Sequence, residues 1–318
     1  MANPPEILRG ILANRIRKNA KHLQKWAKRE AVTCYRIYDR DIPEIPIAID
    51  RYGDDLVLND FRAADRGGGD EWLAAMVDGA RDALEPREVF VKQRERFAHR
   101  GDGQQYERTV VKEAWRTVHE GGHAFRVNLS DYIDTGLFLD HRTTRKLVAG
   151  ERAKTMLNLF AYTGSFSVYA RAAGMLTTTV DLSNTYLDWA KENFALNHLT
   201  GGEFERADVR EFLAAAKAAG RKWDVVVADV PTFSNSKSMA YTWDVQRDHC
   251  GLLADLAAVT SGQGAIWFAT NNQRFKFEYV PTDRSVDELS YATLPPDFRD
   301  RRIHKTFRIS RAPHVIHA

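Results

Sequence analysis

From Ser130 onward the chain alternates short apolar runs with helical stretches, and this alternation limits the available folds more than any other feature of the sequence. "TMLNLFA" precedes the helical "SVYARAAG", "TTTVDLS" precedes "YLDWAKENFALN", "FERADV" precedes "REFLAAAKAAG", and "WDVVVADV" precedes "VQRDHCGLLADLAAV". Strands and helices taking turns at this spacing predict an α/β fold with a doubly wound, mostly parallel sheet. Ligands of such sheets bind beyond the carboxyl ends of the strands, so the residues that follow each strand are the functional candidates.

After the first of these strands comes "FAYTGSFS", in which Gly164 permits a tight turn and the next helix presents its N-terminal amides. The G-x-G-x-x-G pattern of dinucleotide folds is absent, which counts against a nicotinamide-dependent dehydrogenase. Asp181 closes the second strand, where an acid accepts from ribose hydroxyls or caps the following helix. Asp208 follows the third strand, either as an acceptor for the exocyclic amine of an adenine or as a cap. Asp229 closes the fourth and opens the segment "DVPTFSNSK". Three acids at three successive strand ends suggest an adenosine-containing ligand without a bulky pyrophosphate.

A length of 318 residues predicts more than one domain. Residues 1–31 read as a basic amphipathic helix with Ile7, Ile11, Leu12, Ile16, Leu23 and Trp26 on its apolar face. Residues 32–128 read as a small α+β domain, strand-strand-helix-strand-strand, with RNA binding as its expected role, and 129–318 as the doubly wound domain. "TCYRIYD", "IAIDRYGDDLVLNDF" with a turn at Gly53, "EVFVKQRER" and "HAFRVNL" supply the strands, and "DEWLAAMVDGARDAL" the helix. Within "FAHRGDGQQYER" a polar, glycine-containing loop is expected.

No run approaches the ~18 apolar residues of a membrane span, and the N-terminus lacks the apolar core of a secretory signal. A cytoplasmic protein without a membrane partner is the expectation. Cys34 and Cys250 stand far apart without ligand spacing, so neither a disulfide nor a metal site is expected. Arg9, Arg15, Arg17, Lys18, Lys21, Lys25, Lys28 and Arg29 face only Glu6 and Glu30, and Arg299, Arg301, Arg302, Lys305, Arg308 and Arg311 form a second basic group. Such clusters are either the footprint of a polyanion binder or solvated helix faces.

"NLFAYTGSFSVYA", "TTTVDLSNTYLDWAKENFALNHLTG", "DVPTFSNSK", "DVQRDH" and "DYIDTGLFLDHRTTRKL" closely resemble the bacterial class I S-adenosylmethionine-dependent methyltransferases of 23S rRNA, nearest the C-terminal, guanine-N7-methylating half of the fused RlmKL enzymes. "NRIRKNAKHLQKWAKRE", "CYRIYDRDIPEIPIAIDRY" and "VKQRER" carry the resemblance through the N-terminal part. It implies a Rossmann-like methyltransferase domain, S-adenosylmethionine as cofactor, and 23S rRNA or a large-subunit assembly intermediate as partner. The chain is similar to a free-standing version of that half, which implies a separate partner supplying the N2-guanine methyltransferase half.

By position, the resemblance implies contact with the methionine part of the cofactor at Asn158, Phe160, Ala161, Tyr162, Thr163, Gly164 and Ser165. It implies ribose binding at Asp181 with Leu182 and Ser183, and adenine binding at Asp208. Asp140, His141 and Arg142, in "LFLDHR", are expected to close over the carboxylate or methyl end, with a purely structural His141 as the other reading. Asp229, Pro231 and Phe233 match the Asp-Pro-Pro-x-Phe segment as a catalytic base clamp, Asp229 also bordering the cofactor. Val230 replaces the first proline, and its freed φ is expected to loosen the loop.

No cysteine lies in the clamp or in "FATNNQRF" after the fifth strand, so thiolate-dependent C5 methylation of a pyrimidine is disfavoured. Guanine N7 carries a lone pair and no proton, so in-line displacement needs alignment without a strong base. Its edge faces the narrow major groove of A-form RNA, which calls for an open or flipped base. Lys237, Arg247 and the C-terminal arginines are candidate phosphate contacts. The remaining alternatives are a weakened or non-catalytic assembly factor that binds the cofactor, and a methyltransferase with a non-RNA substrate.

Overall fold

The computed structural model describes residues 3–62, 69–93, 114–235 and 241–311. It divides into two compact units, one of residues 1–139 with 296–299 and the other of 140–295 with 300–318. Lys237 and the "FAHRGDGQQYER" loop lie outside the described residues.

The first unit opens with α1 (Pro5–Arg29) and continues through β1 (Cys34–Asp39), β2 (Ile47–Tyr52), β3 (Asp55–Asp60), α2 (Gly69–Leu84), β4 (Val89–Gln93), β5 (Trp115–Glu120) and β6 (His123–Asn128). β1, β2 and β3 pair antiparallel, turning at Gly53 in the left-handed region (φ 65°), and β4 joins β3 in parallel after the α2 crossover. β5 and β6 form a separate hairpin, and the "WRTVHE" strand of that hairpin carried no expectation in the sequence.

The apolar seam of α1 differs from the expected one. Leu8, Leu12, Ile16, Leu23 and Ala27 are buried, whereas Ile7 and Ile11 are exposed. The buried set follows the i, i+4 rows of a helix, and Leu8 takes the inward position that its neighbour Ile7 was assigned. Asn19 interrupts the seam and is satisfied there, its Nδ2 donating to the Ile37 carbonyl and to Asp41 Oδ2, both at 2.8 Å. The short returning segment 296–299 belongs to this unit because Asp297 accepts from the Arg36 amide at 2.9 Å and the Arg36 guanidinium lies 4.5 Å from the Phe298 ring centre.

In the second unit, α3 (Arg142–Ala149), β7 (Thr155–Leu159), α4 (Ser165–Ala172), β8 (Leu176–Asp181), α5 (Asn184–Leu196), β9 (Gly202–Arg206), α6 (Val209–Ala218) and β10 (Trp223–Val230) follow in turn. Then come the short β11 (Phe233–Ser234) and β12 (Trp243–Asp244), α7 (Val245–Val259), β13 (Thr260–Thr270), β14 (Ser285–Glu288) and β15 (Lys305–Ser310). The central sheet has the order β14-β15-β13-β10-β7-β8-β9, parallel from β13 to β9 and antiparallel at the β15 and β14 edge. This is the Rossmann-like α/β architecture.

Alternate residues of the central strands bury opposite faces. Met156, Val225, Val227 and Trp267 pack with Val148, Phe166 and Ala170, while Leu157, Leu159, Val226, Ala228 and Phe268 pack with α6 and α7. Burial on both faces is why these strands read as continuous apolar runs.

Asp224 fastens β10 to its neighbours at the end of the sheet away from the strand carboxyl ends. Its carboxylate accepts from the amides of Lys154 and Thr155 and from the hydroxyls of Thr155 and Ser261, at 2.9 to 3.3 Å. Partial burial opposes ionisation, but these donors outweigh it and hold the carboxyl below its usual range. A carboxyl depressed on folding stabilises above its unfolded pKa and ceases to as pH falls through the folded value. Asp224→Ala is therefore expected to cost about 1–2 kcal/mol at pH 7, allowing for its partial exposure. Urea denaturation should show the deficit shrinking as the pH is lowered toward the carboxylate range.

Candidate active site

The winding of the sheet reverses between β7 and β10, which are hydrogen-bonded neighbours with Ala228 opposite Leu159. A crevice opens at such a reversal, beyond the carboxyl ends of the strands. The last β7–β10 pair, Leu159 with Ala228, leaves Phe160 and Asp229 as the next residues side by side, β10 running on to Val230 against β13, with Asp181 at the end of β8 on the far side of β7.

The segment after β7 has an unusual backbone. Phe160 (φ 52°), Tyr162 (φ 51°) and Gly164 (φ 72°) all occupy the left-handed region, which costs side-chain-bearing residues energy and persists only where surroundings enforce it. Enforcement comes from three directions. The Ala161 amide donates to the Val180 carbonyl at 3.1 Å, the Tyr162 amide to Asp181 Oδ2 at 2.8 Å, and Asn193 Nδ2 to the Thr163 carbonyl at 2.9 Å. From beneath, Asn158 donates to Ser167 Oγ at 2.9 Å and is buried, so its side chain supports the turn from inside. Ala161 and Thr163 are also buried, whereas Phe160, Tyr162 and Ser165 remain half-buried.

Asp181 is not a helix cap. Ser183 caps α5, accepting from the Tyr186 amide, while Asp181 bridges the turn and the start of that helix by accepting from the Tyr162 and Ser183 amides, with Leu182 half-buried between Asp181 and Ser183. Burial pushes its carboxyl up to about 6, against the opposing pull of the Ser183, Tyr162 and Leu182 amides. Both carboxylate oxygens retain acceptor capacity after those bonds.

Asp208 does cap its helix, accepting from the Arg210 and Glu211 amides at the start of α6, and it also takes the Tyr241 hydroxyl at 3.0 to 3.2 Å. Burial and Asp208 together raise the Tyr241 phenol, so it stays a donor. The Arg210 guanidinium lies 4.0 Å from the Tyr241 ring centre. Sequence reasoning missed Tyr241, whose position beside Asp208 depends on the chain returning through β12.

The clamp segment is held by another unanticipated aromatic. Trp243 is almost fully buried, and its indole N–H donates to the Pro231 carbonyl at 2.8 Å. β11 pairs with β12 through Phe233 opposite Asp244, and Phe233 is half-buried. Val230 corrects the expectation of a loosened loop. It is the last residue of β10, opposite Thr270 on β13, and only 2% exposed within the core. Pairing and packing restrict it without the help of a proline ring.

Behind Asp229 lies a cluster of two acids and two histidines. His141 Nε2 is 3.4 Å from Asp229 Oδ2 and 3.7 Å from Asp140 Oδ2, and His304 Nδ1 is 3.1 Å from Asp140 Oδ2. Burial raises the Asp229 carboxyl and lowers the His141 imidazole, each partly countered by the other. Burial also opposes ionisation of Asp140, but the two histidines outweigh it and hold that carboxyl well below its usual range. Ligating atoms of Asp140, His141 and His304 lie within 4.8 Å of one another. Both His304 nitrogens are engaged in hydrogen bonds, however, so the group is read as a hydrogen-bonded cluster rather than a metal centre. Arg142, expected in the cofactor site, is buried at the start of α3.

The basic residues divide by type. Arg9 pairs with Asp82, Arg15 lies 3.8 Å from Asp41, and Arg17 bonds Asn14 and the Asp82 carbonyl. The C-terminal group is engaged internally: Arg299 with Asp41, Arg302 with Asp300, Lys305 with Glu288, buried Arg308 with Glu151, Arg311 with Asp283, and Arg301 against the Tyr291 ring. Arg247 pairs with Asp248 while staying 60% exposed. Lys18, Lys21, Lys25 and Lys28 are exposed along one face of α1, with no ion pair among the described residues.

Residues 79–289 match a family described as S-adenosylmethionine-dependent methyltransferase. The chain is 43% identical over 308 residues to "Ribosomal RNA large subunit methyltransferase K" of Neisseria meningitidis serogroup B, covering 93% of this chain and 86% of that protein. It is also 43% identical to "Ribosomal RNA large subunit methyltransferase K/L" of a Shewanella species, covering 94% of this chain but only 44% of that longer protein. Among solved structures, a methyltransferase complexed with S-adenosylhomocysteine superposes with a TM-score of 0.76 at 22% identity, covering 95% of this chain and 81% of that one. No helix among the described residues is long and apolar enough to cross a membrane.

The left-handed turn leaves no room for a side chain at Gly164. A Cβ on Gly164 would approach the Ala190 Cβ to 2.8 Å while holding φ at +72°. Gly164→Ala is expected to cost about 2–3 kcal/mol in denaturant unfolding. Gly174→Ala, also at positive φ but in open space, should cost less, separating the steric from the backbone contribution.

Proposed function

The chain belongs to the S-adenosylmethionine-dependent methyltransferases, in the ribosomal RNA large subunit methyltransferase K family, and on that premise we propose that it methylates guanine N7 in 23S rRNA or a large-subunit assembly intermediate. The observation that carries this reading is the juxtaposition at the strand ends: Asp229 with Pro231 and Phe233 leaves β10 directly beside the strained turn that leaves β7.

The residues present suit the cofactor. Gly164 keeps the turn free of a Cβ, Asp181 offers spare acceptor positions for ribose hydroxyls with Leu182 and Ser183 alongside, and Asp208 with Tyr241 borders the adenine side. Asn158, Ala161 and Thr163 shape the turn from inside, leaving its backbone and the half-buried Phe160, Tyr162 and Ser165 toward the methionine portion. Bound there, S-adenosylmethionine supplies an electrophilic methyl group on a sulfonium.

The chain's own part is alignment. Asp229, ionised, accepts from N1–H and the N2 amine of the guanine, while Phe233 offers its ring face for stacking. With N7 unprotonated, no residue has to remove a proton, and orientation and exclusion of water supply the acceleration. The target base must be unpaired or flipped, because N7 faces a groove that side chains cannot read.

RNA is held elsewhere by charge. Lys18, Lys21, Lys25 and Lys28 span about 15 Å of helix on one face and meet phosphates, while the arginines of α1 secure the helix to its own unit. The longer K/L relatives, of which this chain matches only 44%, are what supports a partner half, for which we propose N2-guanine methyltransferase activity.

With labelled S-adenosylmethionine and deproteinised 23S rRNA from cells lacking the protein, nucleoside mass spectrometry should find one 7-methylguanosine. Asp229→Ala should lower its rate of formation at least ~100-fold; methyl transfer that is unaffected, or found on another atom, would overturn the reading. Replacing all four lysines by glutamine should weaken RNA binding and reduce the slope of log K against log salt by about 0.7–0.9 per lysine, with cofactor affinity by calorimetry unchanged.

A further inference from the structure

The cluster behind Asp229 has no task in the alkylation of an unprotonated nitrogen, yet it is buried and ordered by specific bonds. His141 Nδ1 is buried with no hydrogen-bond partner among the described residues. A proton on Nδ1 would be an unmet donor and would turn the Nε2 lone pair toward two carboxylates, whereas a proton on Nε2 faces Asp229 at 3.4 Å and Asp140 at 3.7 Å. The favoured tautomer is therefore the one with Nε2–H.

With Nδ1 unbonded among the described residues, the ring is oriented by its faces. His304 stacks on it with centres 4.7 Å apart and planes 18° from parallel, and Phe166 lies 5.9 Å away. His304 is itself held at both nitrogens, by Asp140 Oδ2 at 3.1 Å and by Thr293 Oγ1 at 3.0 Å. Thr293 in turn bonds the Leu289 carbonyl at 2.9 Å.

We propose that His304 is a positioning residue for methyl transfer: stacked on His141 and bonded to Asp140, it directs the His141 Nε2–H to Asp229 and holds that carboxylate in the place and ionised form that receive guanine. The inference rests on Asp229 as the base clamp. The charged groups facing Asp229 are His141, Asp140 and Arg145 from the segment leading into and through α3, and His304 from the approach to β15. Burial disfavours the Asp229 anion and His141 opposes that effect, so releasing His141 moves protonation of Asp229 to higher pH.

His304→Phe keeps a ring for stacking and removes both nitrogens, while His304→Asn keeps one N–H for Asp140. Calorimetry should give both variants cofactor affinities within about twofold of wild type. His304→Phe should lose about tenfold in kcat at neutral pH, with little change in KM for RNA and the acid limb of the kcat profile moved upward, so that activity returns in alkali. His304→Asn should recover part of that loss. A kcat lowered by the same factor at every pH, in step with Tm, would overturn the proposal, as would a profile identical to wild type. Nitrogen NMR of the imidazoles gives a readout independent of turnover. Wild-type His141 must be protonated at Nε2, and Nδ1 protonation overturns the proposal. If the expected tautomer is found while wild type transfers no methyl to RNA, the functional reading has failed instead.

Discussion

The placement of β7 between β10 and β8 governs the second unit, because it brings three strand ends carrying Phe160, Asp181 and Asp229 to one edge. Parallel pairing makes all three strands end on the same side, and the reversal of winding at β7 and β10 opens the crevice between their connections. The strained turn after β7 survives for the same reason. Its left-handed residues are tied to β8 through Val180 and Asp181 and to α5 through Asn193, so relaxing it would break bonds to two neighbouring elements.

Burial does two different things to the acids at that edge. Burial raises Asp181 to about 6, which its neutral amide partners only partly oppose, whereas at Asp140 two imidazoles outweigh burial and hold the carboxyl low. Asp229 lies between these limits, raised by burial and opposed first by His141, with smaller contributions from His304 and Arg145. A carboxylate whose nearest counter-group is one imidazole is sensitive to whatever orients that ring, which gives His304 its leverage.

The cations show a similar division. Arginines, with their planar forks, hold α1, the returning 296–299 segment and β15, the contacts of Arg9 and Arg308 being bidentate, whereas Lys18, Lys21, Lys25 and Lys28 of α1 are left on the surface. Counting basic residues in the sequence could not separate the two populations, because each pairing depends on acids such as Asp82, Asp41 and Glu151 that lie far away in the chain. Two basic clusters of similar appearance therefore differ in what they offer to a polyanion.

Periodicity was enough to determine β10 and α7 residue for residue, since Trp223–Val230 is apolar on both faces and Val245–Val259 follows an acidic cap at Asp244. The sequence also determined the alternating order of strands and helices, the acids at the strand ends and the resemblance that names the cofactor. Tertiary structure alone decided that Leu8 and not Ile7 faces the core, that Val230 is restrained by the sheet, that Asp181 bridges while Asp208 caps, and that Trp243, Tyr241 and His304 complete the site. The reason is one of range. Helix and strand periods are written in neighbouring residues, whereas a histidine before the last strand meets one before α3 only after the whole sheet has been assembled between them.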